Sequence, residues 1–249
     1  MATLDVLQVG CKIEICSVEQ AQRNKITGEK TPVLESMLDD ITPEGNLIIQ
    51  MPIYKGKLVL LSIGVRYELV FYEKNSLYQT VAQVVDRYKS DNRYVLKMSL
   101  TTGITKLQRR EYFRLQCILG AELYPITREE MLENSEQQYA ALIMRPEIKE
   151  NEDKAVIVDI SGGGIRFICE KQYEENSYYI VRTIIGNESF SQELILAINI
   201  VTCRKANASI DRYETRGEFV HITNKTREII IKYVFDEDRK IRKKVYSVK

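Results

Sequence analysis

Three arginines within six residues are the side chains of this sequence best placed to do chemistry. They are Arg109, Arg110 and Arg114, in the stretch KLQRREYFRL that also contains Gln108. Arginine has a planar fork of donors that pairs bidentately with phosphate oxygens and with the O6/N7 edge of guanine, and it stacks on flat rings. The stretch therefore predicts a site for a phosphate or a purine.

A second stretch, DISGGGIRF, supplies complementary groups. Asp159 is an acceptor-only carboxylate suited to guanine N–H donors, and Ser161 offers a hydroxyl. Gly162, Gly163 and Gly164 allow backbone N–H groups to approach a ligand, and we expect them to form a tight turn with positive φ. The glycines are consecutive and lead into a strand, which excludes a dinucleotide fingerprint, and no Gly-Lys-Ser/Thr follows, which excludes a P-loop. Strand alternation leaves open whether Arg166 faces the same side.

Each stretch alone has an ordinary explanation. A basic segment before a strand is common surface charge, and Ser-Gly-Gly-Gly after a strand is commonly a turn. Other catalytic or metal chemistry has little support. The single histidine, His221, is expected to be structural, and the five cysteines contain no CxxC pair and are expected to be reduced thiols. We expect neither a metal site nor enzyme activity.

Composition sets further limits. The hydrophobic fraction of 44% and the charged fraction of 29% are typical of a folded globular protein. A formal net charge of +1 gives no global attraction to nucleic acid, so an anion site must be local. The sequence has no apolar run long enough to span a bilayer, and we expect a cytoplasmic protein.

Two small antiparallel β domains in tandem are expected to position these residues. Residues 1–103 contain short alternating apolar runs separated by turn residues, which predict a small barrel or sandwich. A hinge at 104–111 then leads into a domain at 104–249 with six predicted strands. The acid-rich segment 125–153 is predicted to be a mobile surface insertion with a short helix over Arg128 to Ala141, and a C-terminal helix is predicted at 225–244.

The helix should close the second barrel through one apolar face. Ile230, Val234 and Ile241 recur at the helical period, and Thr223 or Asn224 is a suitable N-cap. The basic residues that follow Asp238 complement the helix dipole.

Arg110-x-x-x-Arg114 ahead of the first strand, Asp159-x-Ser161-x-x-Gly164 between later strands, and the closing helix together resemble the PilZ domain. The resemblance covers about residues 105–244, and the preceding half is similar in arrangement to the N-terminal domain of YcgR-like flagellar brake proteins. The insertion departs from the family pattern by lengthening the spacing between the two motifs.

The resemblance implies a receptor for cyclic di-GMP that binds without turnover. It places Gln108, Arg109, Arg110, Arg114, Asp159, Ser161, Gly162, Gly163, Gly164 and Arg166 at the ligand. It implies a change of domain arrangement on binding and a flagellar motor or stator protein as partner.

Three alternatives stay open. One is a PilZ-like scaffold that binds only protein, another is an effector of exopolysaccharide synthesis, and the third is a nucleic-acid module that uses the arginines and the basic tail.

Overall fold

The computed structural model describes residues 4–27, 33–74, 76–90, 93–187, 190–207 and 210–247, and it divides into two compact units, Met1–Arg109 and Arg110–Lys249. The first contains a 3₁₀ turn at Leu4–Val6, one helix and nine strands within its described residues. These are β1 (Lys12–Ser17), α1 (Val18–Thr27), β2 (Leu34–Ile41), β3 (Leu47–Gln50), β4 (Ile53–Tyr54), β5 (Lys57–Leu58), β6 (Arg66–Glu73), β7 (Ser76–Ser90), β8 (Arg93–Leu100) and β9 (Thr105–Leu107).

Six strands of the first unit form a closed antiparallel ring in the order β1, β6, β7, β8, β3, β2, with β2 returning to β1. Alternate residues point inward, so Ile13 and Ile15 of β1 meet Leu69 and Phe71 of β6 in a core from which solvent is excluded. The predicted small antiparallel β domain is confirmed, and of the two expected forms, barrel or sandwich, it is the barrel. β9 pairs with β7, so residues 105–107 of the expected hinge belong to this sheet.

The second unit contains the remaining six strands and four helices of the described chain. They are β10 (Arg114–Ile126), α2 (Arg128–Glu133), α3 (Tyr139–Leu142), α4 (Pro146–Lys149), β11 (Asp153–Ser161), β12 (Gly164–Cys169), β13 (Tyr178–Asn187), β14 (Phe190–Asn207), β15 (Ile210–Val220) and α5 (Asn224–Ser247).

The six strands close into an antiparallel barrel in the order β10, β11, β12, β15, β14, β13, as expected for this half. Helix α5 adds Ile230, Tyr233 and Val234 to the barrel core. Its N-cap is Thr223, whose hydroxyl accepts a hydrogen bond from the Thr226 N–H at 3.2 Å. Ile241 was predicted on the buried face but is 47% exposed, because it lies about two turns beyond Val234, the last helix residue of that core.

The insertion differs from the mobile segment that its acidic composition predicted. Its helices α2 to α4 bury Met131, Tyr139, Leu142, Ile143 and Ile148 against Ile180 of β13 and Ala197 of β14. A capping box between Thr127 and Glu130 fixes the start of α2. The apolar residues are scattered among the glutamates, so the acidic composition of the segment gave no indication that they form a small hydrophobic core.

Within the described residues, no helix is both long enough and apolar enough to cross a bilayer.

Candidate functional site

The strand register of β10 and β11 brings the two predicted motifs together. Arg114, the first residue of β10, lies opposite Ser161, the last residue of β11, and Gln116 lies opposite Asp159. Arg114 and Ser161 are 47 positions apart in the sequence, yet in the sheet they are separated by one strand-to-strand spacing of about 5 Å. Arg110 and Arg114 are both exposed, and no described residue pairs with the Arg114 guanidinium.

Asp159 is a buried carboxylate held in a polar network on the outer face of the barrel. Its Oδ2 accepts from Nε of Arg166 and from Nε2 of Gln116, both at 3.4 Å. Arg166 also donates to Gln116 Oε1 at 3.3 Å and to Glu214 Oε2 at 2.8 Å. Arg166 therefore lies on the same face as Asp159, which sequence alternation had left open.

The charge on Arg166 is stabilised by this network. Partial desolvation acts to lower the pKa of Arg166, but the hydrogen bond and charge of Glu214, with those of Asp159, outweigh it and raise that pKa. Arg166 is therefore engaged by two carboxylates of the second unit, Asp159 and Glu214.

The Ser161–Gly164 turn is tight, but not for the expected reason. Ser161 Oγ donates to the Gly164 carbonyl at 3.2 Å and accepts from the Gly163 N–H at 3.3 Å. None of the three glycines has the positive φ that we predicted; the described glycines with positive φ are Gly10, Gly45, Gly56 and Gly64. The requirement for glycine is instead one of space.

Two different neighbours impose that requirement. A Cβ on Gly162 would lie 2.6 Å from Cδ1 of the Tyr112 ring, and one on Gly163 would lie 3.1 Å from Cδ2 of the same ring. A Cβ on Gly164 would lie 2.2 Å from the backbone carbonyl oxygen of Gly217 on β15. The Tyr112 side chain thus limits the space at Gly162 and Gly163, whereas the backbone of β15 limits it at Gly164.

Tyr112 and Phe113, which lie between Arg110 and Arg114 in the sequence, both contact residues of α5. The guanidinium carbon of Arg227 lies 5.3 Å from the centroid of the Tyr112 ring, and Arg227 Nη1 donates to the Gly162 carbonyl at 2.7 Å. Phe113 stacks on Phe235, with ring centroids 6.0 Å apart and planes 20° apart.

The Tyr112 phenol also has a perturbed acidity. A hydrogen bond with Glu111 raises the pKa of Tyr112, although the nearby Arg227 charge acts to lower it. The ring thus lies over the glycine turn as a neutral phenol at physiological pH.

Arg109 and Gln108 lie in the first unit. Arg109 Nη2 forms an ion pair with Glu14 at 2.8 Å, and Nη1 donates to the Tyr72 hydroxyl at 3.0 Å. Desolvation acts to lower the pKa of Arg109, but Glu14 and Tyr72 outweigh it and raise that pKa. Gln108 is exposed next to β9.

Four residues of the site were not predicted: Tyr112, Gln116, Glu214 and Arg227. Tyr112 and Gln116 flank the arginines in the sequence and could have been identified from that position. Glu214 and Arg227 come from β15 and α5, and only the folded barrel brings them to the site.

The remaining candidates for chemistry were the histidine, the cysteines and a metal site. His221 is exposed in the turn between β15 and α5, with a φ of 54°. The five cysteines are free, and burial raises the pKa of Cys117 to about 11. Within the described ranges, no group of three His, Cys, Asp or Glu residues could hold a metal ion.

The fold and the site define a class: a tandem β-barrel protein with an arginine-flanked glycine turn on its second barrel. Comparison with protein families agrees. Residues 108–236 match the PilZ domain, and residues 8–100 match the N-terminal domain described as flagellar protein YcgR. The PilZ match covers more than half of the sequence, and the chain belongs to the PilZ domain family.

Two solved structures show the same fold at low sequence identity. The Bacillus subtilis inhibitor of motility MotI/DgrA matches with a TM-score of 0.67 and 14% identity, covering 94% of this chain and 99% of its own. YcgR from Escherichia coli in complex with c-di-GMP matches with a TM-score of 0.54 and 13% identity, covering 98% of this chain and 91% of its own. No curated protein sequence matches the chain.

Proposed function

We propose that this chain is a cytoplasmic receptor for cyclic di-GMP that acts in the control of motility. The observation that carries the proposal is the β10–β11 register, which sets exposed Arg114 opposite Ser161 and two residue pairs away from Asp159. The YcgR relative was crystallised with this nucleotide, which supports the same ligand here.

Each residue has a role that follows from the chemistry of the ligand, which carries two phosphates and two guanines. Arg110 and Arg114 grip phosphate oxygens or the acceptor edge of guanine. Asp159 accepts from the guanine N1–H and N2–H donors. Ser161 and the N–H groups of Gly162 to Gly164 complete the contacts.

Arg166 and Arg109 have secondary roles in the proposal. Arg166 orients Asp159 through their ion pair at 3.4 Å. Arg109 stacks on a base or takes a second phosphate only after it leaves Glu14, so its contribution to binding is reduced by the cost of breaking a 2.8 Å ion pair.

Ligand binding at the turn requires Tyr112 to move. The ring covers Gly162 and Gly163, the place where a nucleotide would approach the backbone N–H groups. We propose that the nucleotide displaces Tyr112, rearranges residues 108–111 of the predicted hinge, which follow β9, and thereby changes the arrangement of the two units. That change would expose or hide a face for a flagellar motor or stator protein, slowing motility.

Binding without turnover is the expected chemistry. The groups assembled here are donors and acceptors for a ligand, and no buried nucleophile with an adjacent base is part of them. Control of exopolysaccharide synthesis is an alternative output of the same receptor.

Calorimetric titration tests the proposal. Cyclic di-GMP should bind with a Kd of about 1 µM or tighter, equivalent to about −8 kcal/mol, and GMP should bind far more weakly. Arg110→Ala/Arg114→Ala should weaken binding at least ~100-fold, because it removes several charge-assisted hydrogen bonds. Arg128→Ala, which removes an exposed arginine from the insertion, is the matched control and should bind normally.

Two results would contradict the proposal. Absence of heat from the folded wild-type chain would favour the protein-only scaffold. Small-angle scattering curves that are identical with and without saturating nucleotide would refute the rearrangement even if binding were real.

A further inference from the structure

A run of thirteen residues in the first unit, Ile53 to Val65, presents aliphatic side chains to solvent. Ile53, Leu58, Leu60, Ile63 and Val65 are each between 40% and 67% exposed. We call this run the apolar hairpin. Single exposed aliphatic residues are common on protein surfaces, but five within thirteen positions mark an interaction site.

The register of β4 and β5 fixes this exposure. Ile53 pairs with Leu58 and Tyr54 pairs with Lys57, so the connection is a two-residue turn. Val59 and Leu61 pack against the barrel core, and strand alternation then turns Leu58 and Leu60 outward. A backbone arrangement that turned Leu58 and Leu60 inward would turn Val59 and Leu61 out of the core. The fold therefore keeps Leu58 and Leu60 exposed.

The charges within the apolar hairpin itself have one sign. Lys55 and Lys57 stand at its tip and Arg66 follows it, whereas residues 45–67 contain no aspartate or glutamate. The residue opposite Ile53 on β2 is Glu35, which is already paired with Lys12 at 2.6 Å. Lys55 Nζ lies 5.5 Å from the Tyr54 ring centroid, so an aromatic ring with a polar end lies at the base of the tip.

We propose that the apolar hairpin docks on the surface of an anionic lipid bilayer. Aliphatic side chains flanked by lysines suit the boundary between headgroups and acyl chains, because the lysine stems lie in apolar surroundings while their ammonium groups contact anionic headgroups. A protein partner fits less well, since the centres of protein interfaces are depleted in lysine and enriched in aromatic residues. The surface lies in the first unit and shares no residue with the proposed nucleotide site.

Vesicle flotation of the full-length protein tests the proposal. Vesicles of phosphatidylcholine alone are compared with an equimolar mixture with phosphatidylglycerol, without nucleotide. The chain should float with the mixed vesicles and much less with the neutral ones, and added salt should weaken the association. Lys55→Gln/Lys57→Gln should reduce partitioning about 30-fold, at roughly fivefold for each lysine near the surface.

Two further variants complete the test. Leu58→Ser/Leu60→Ser should lose at least ~10-fold in partitioning while keeping the wild-type circular dichroism, because both side chains are already exposed. Lys149→Gln/Lys154→Gln, which changes two exposed lysines of the second unit, should float like the wild type.

Three results would overturn the proposal. The first is that the wild-type chain stays with the soluble fraction at low salt. The second is that it floats equally with both vesicle types or that all variants behave alike. The third is that the wild-type chain binds no vesicles but forms a dimer in light scattering, and that Leu58→Ser/Leu60→Ser abolishes this dimer. That result would show that the hairpin binds a second copy of the chain.

Discussion

Replacing Gly164 with alanine should damage the second barrel, whereas the same change at Gly163 should be tolerated. At Gly164 the new methyl carbon would lie 2.2 Å from the Gly217 carbonyl oxygen and 3.0 Å from the Glu218 Cα. Both atoms are backbone of β15, which is paired with β12 at this point. At Gly163 the nearest atom, at 3.1 Å, belongs to the Tyr112 ring, which is on a loop and can yield.

The magnitude follows from the displacement needed. A carbon and an oxygen approach to about 3.3 Å, so β12 and β15 must separate by roughly 1 Å at Gly164. That displacement strains the barrel by about 1–3 kcal/mol and weakens the flanking ladder hydrogen bonds, each contributing about 1 kcal/mol. Alanine also restricts the conformations of the unfolded chain, which offsets roughly 0.4–1 kcal/mol of this loss of stability. The net loss should be about 3 kcal/mol for Gly164→Ala and within about 1 kcal/mol for Gly163→Ala.

Hydrogen exchange measured by mass spectrometry is the suitable assay, since it reports on each unit separately and needs no assumption that the chain unfolds in one step. Peptides from β12 and β15 should exchange on the order of 100-fold faster in Gly164→Ala, while those from β6 and β7 of the first unit should be unchanged. Equal protection of β12 in the two variants would refute the argument that the barrel backbone, and not the ligand, requires glycine at position 164.

Three further predictions concern other contacts of the second unit. Arg166→Met should cost about 2 kcal/mol in urea unfolding because it leaves the buried Asp159 carboxylate without its cation, and adding Asp159→Asn should restore part of the loss. If the losses of stability from the two substitutions simply added, Arg166 and Asp159 would not be energetically coupled. Burial raises the pKa of Cys117 from its ordinary value of 9.0 to about 11, so the protonated thiol favours the folded state below pH 9, and this contribution is lost progressively as the pH rises from 9 to about 11. At pH 8, iodoacetamide should modify it about 100-fold more slowly than in the urea-unfolded chain, measured by mass spectrometry; equal rates would exclude burial. Glu136→Ala removes the carboxylate that accepts the Thr223 N–H at 2.9 Å, so exchange in the first turn of α5 should rise about tenfold. Unchanged exchange would show that the insertion does not support the helix.

Both β-barrels could be expected from the sequence because each strand has its own alternation and turns. In β1, Ile13 and Ile15 alternate with Lys12 and Glu14, and this local pattern is sufficient to assign the buried face. Burial of the α5 residues beyond Val234 could not be assigned in that way. The periodicity continues to Ile241, but burial depends on whether the barrel still lies beneath the helix.

The insertion shows a different limit of sequence interpretation. Its glutamates predict a solvated segment, and five apolar residues scattered among them do not form a regular period. They are buried only because the outer face of β13 and β14 supplies Ile180 and Ala197 as partners. A contact that depends on residues from distant strands has no signature in the local pattern.

For the candidate site, the sequence by itself determined the chemistry, and the tertiary structure decided which groups are available. The residue types of Arg114, Asp159 and the glycines predicted an anion site, and they retain that character in any packing. Availability depends on neighbours that the chain brings from elsewhere: Glu14 engages Arg109, Glu214 holds Arg166, and Tyr112 covers the glycine turn. The physical reason is that hydrogen bonds and ion pairs act over a few ångströms, so only the fold determines which charges are paired and which are left for a ligand.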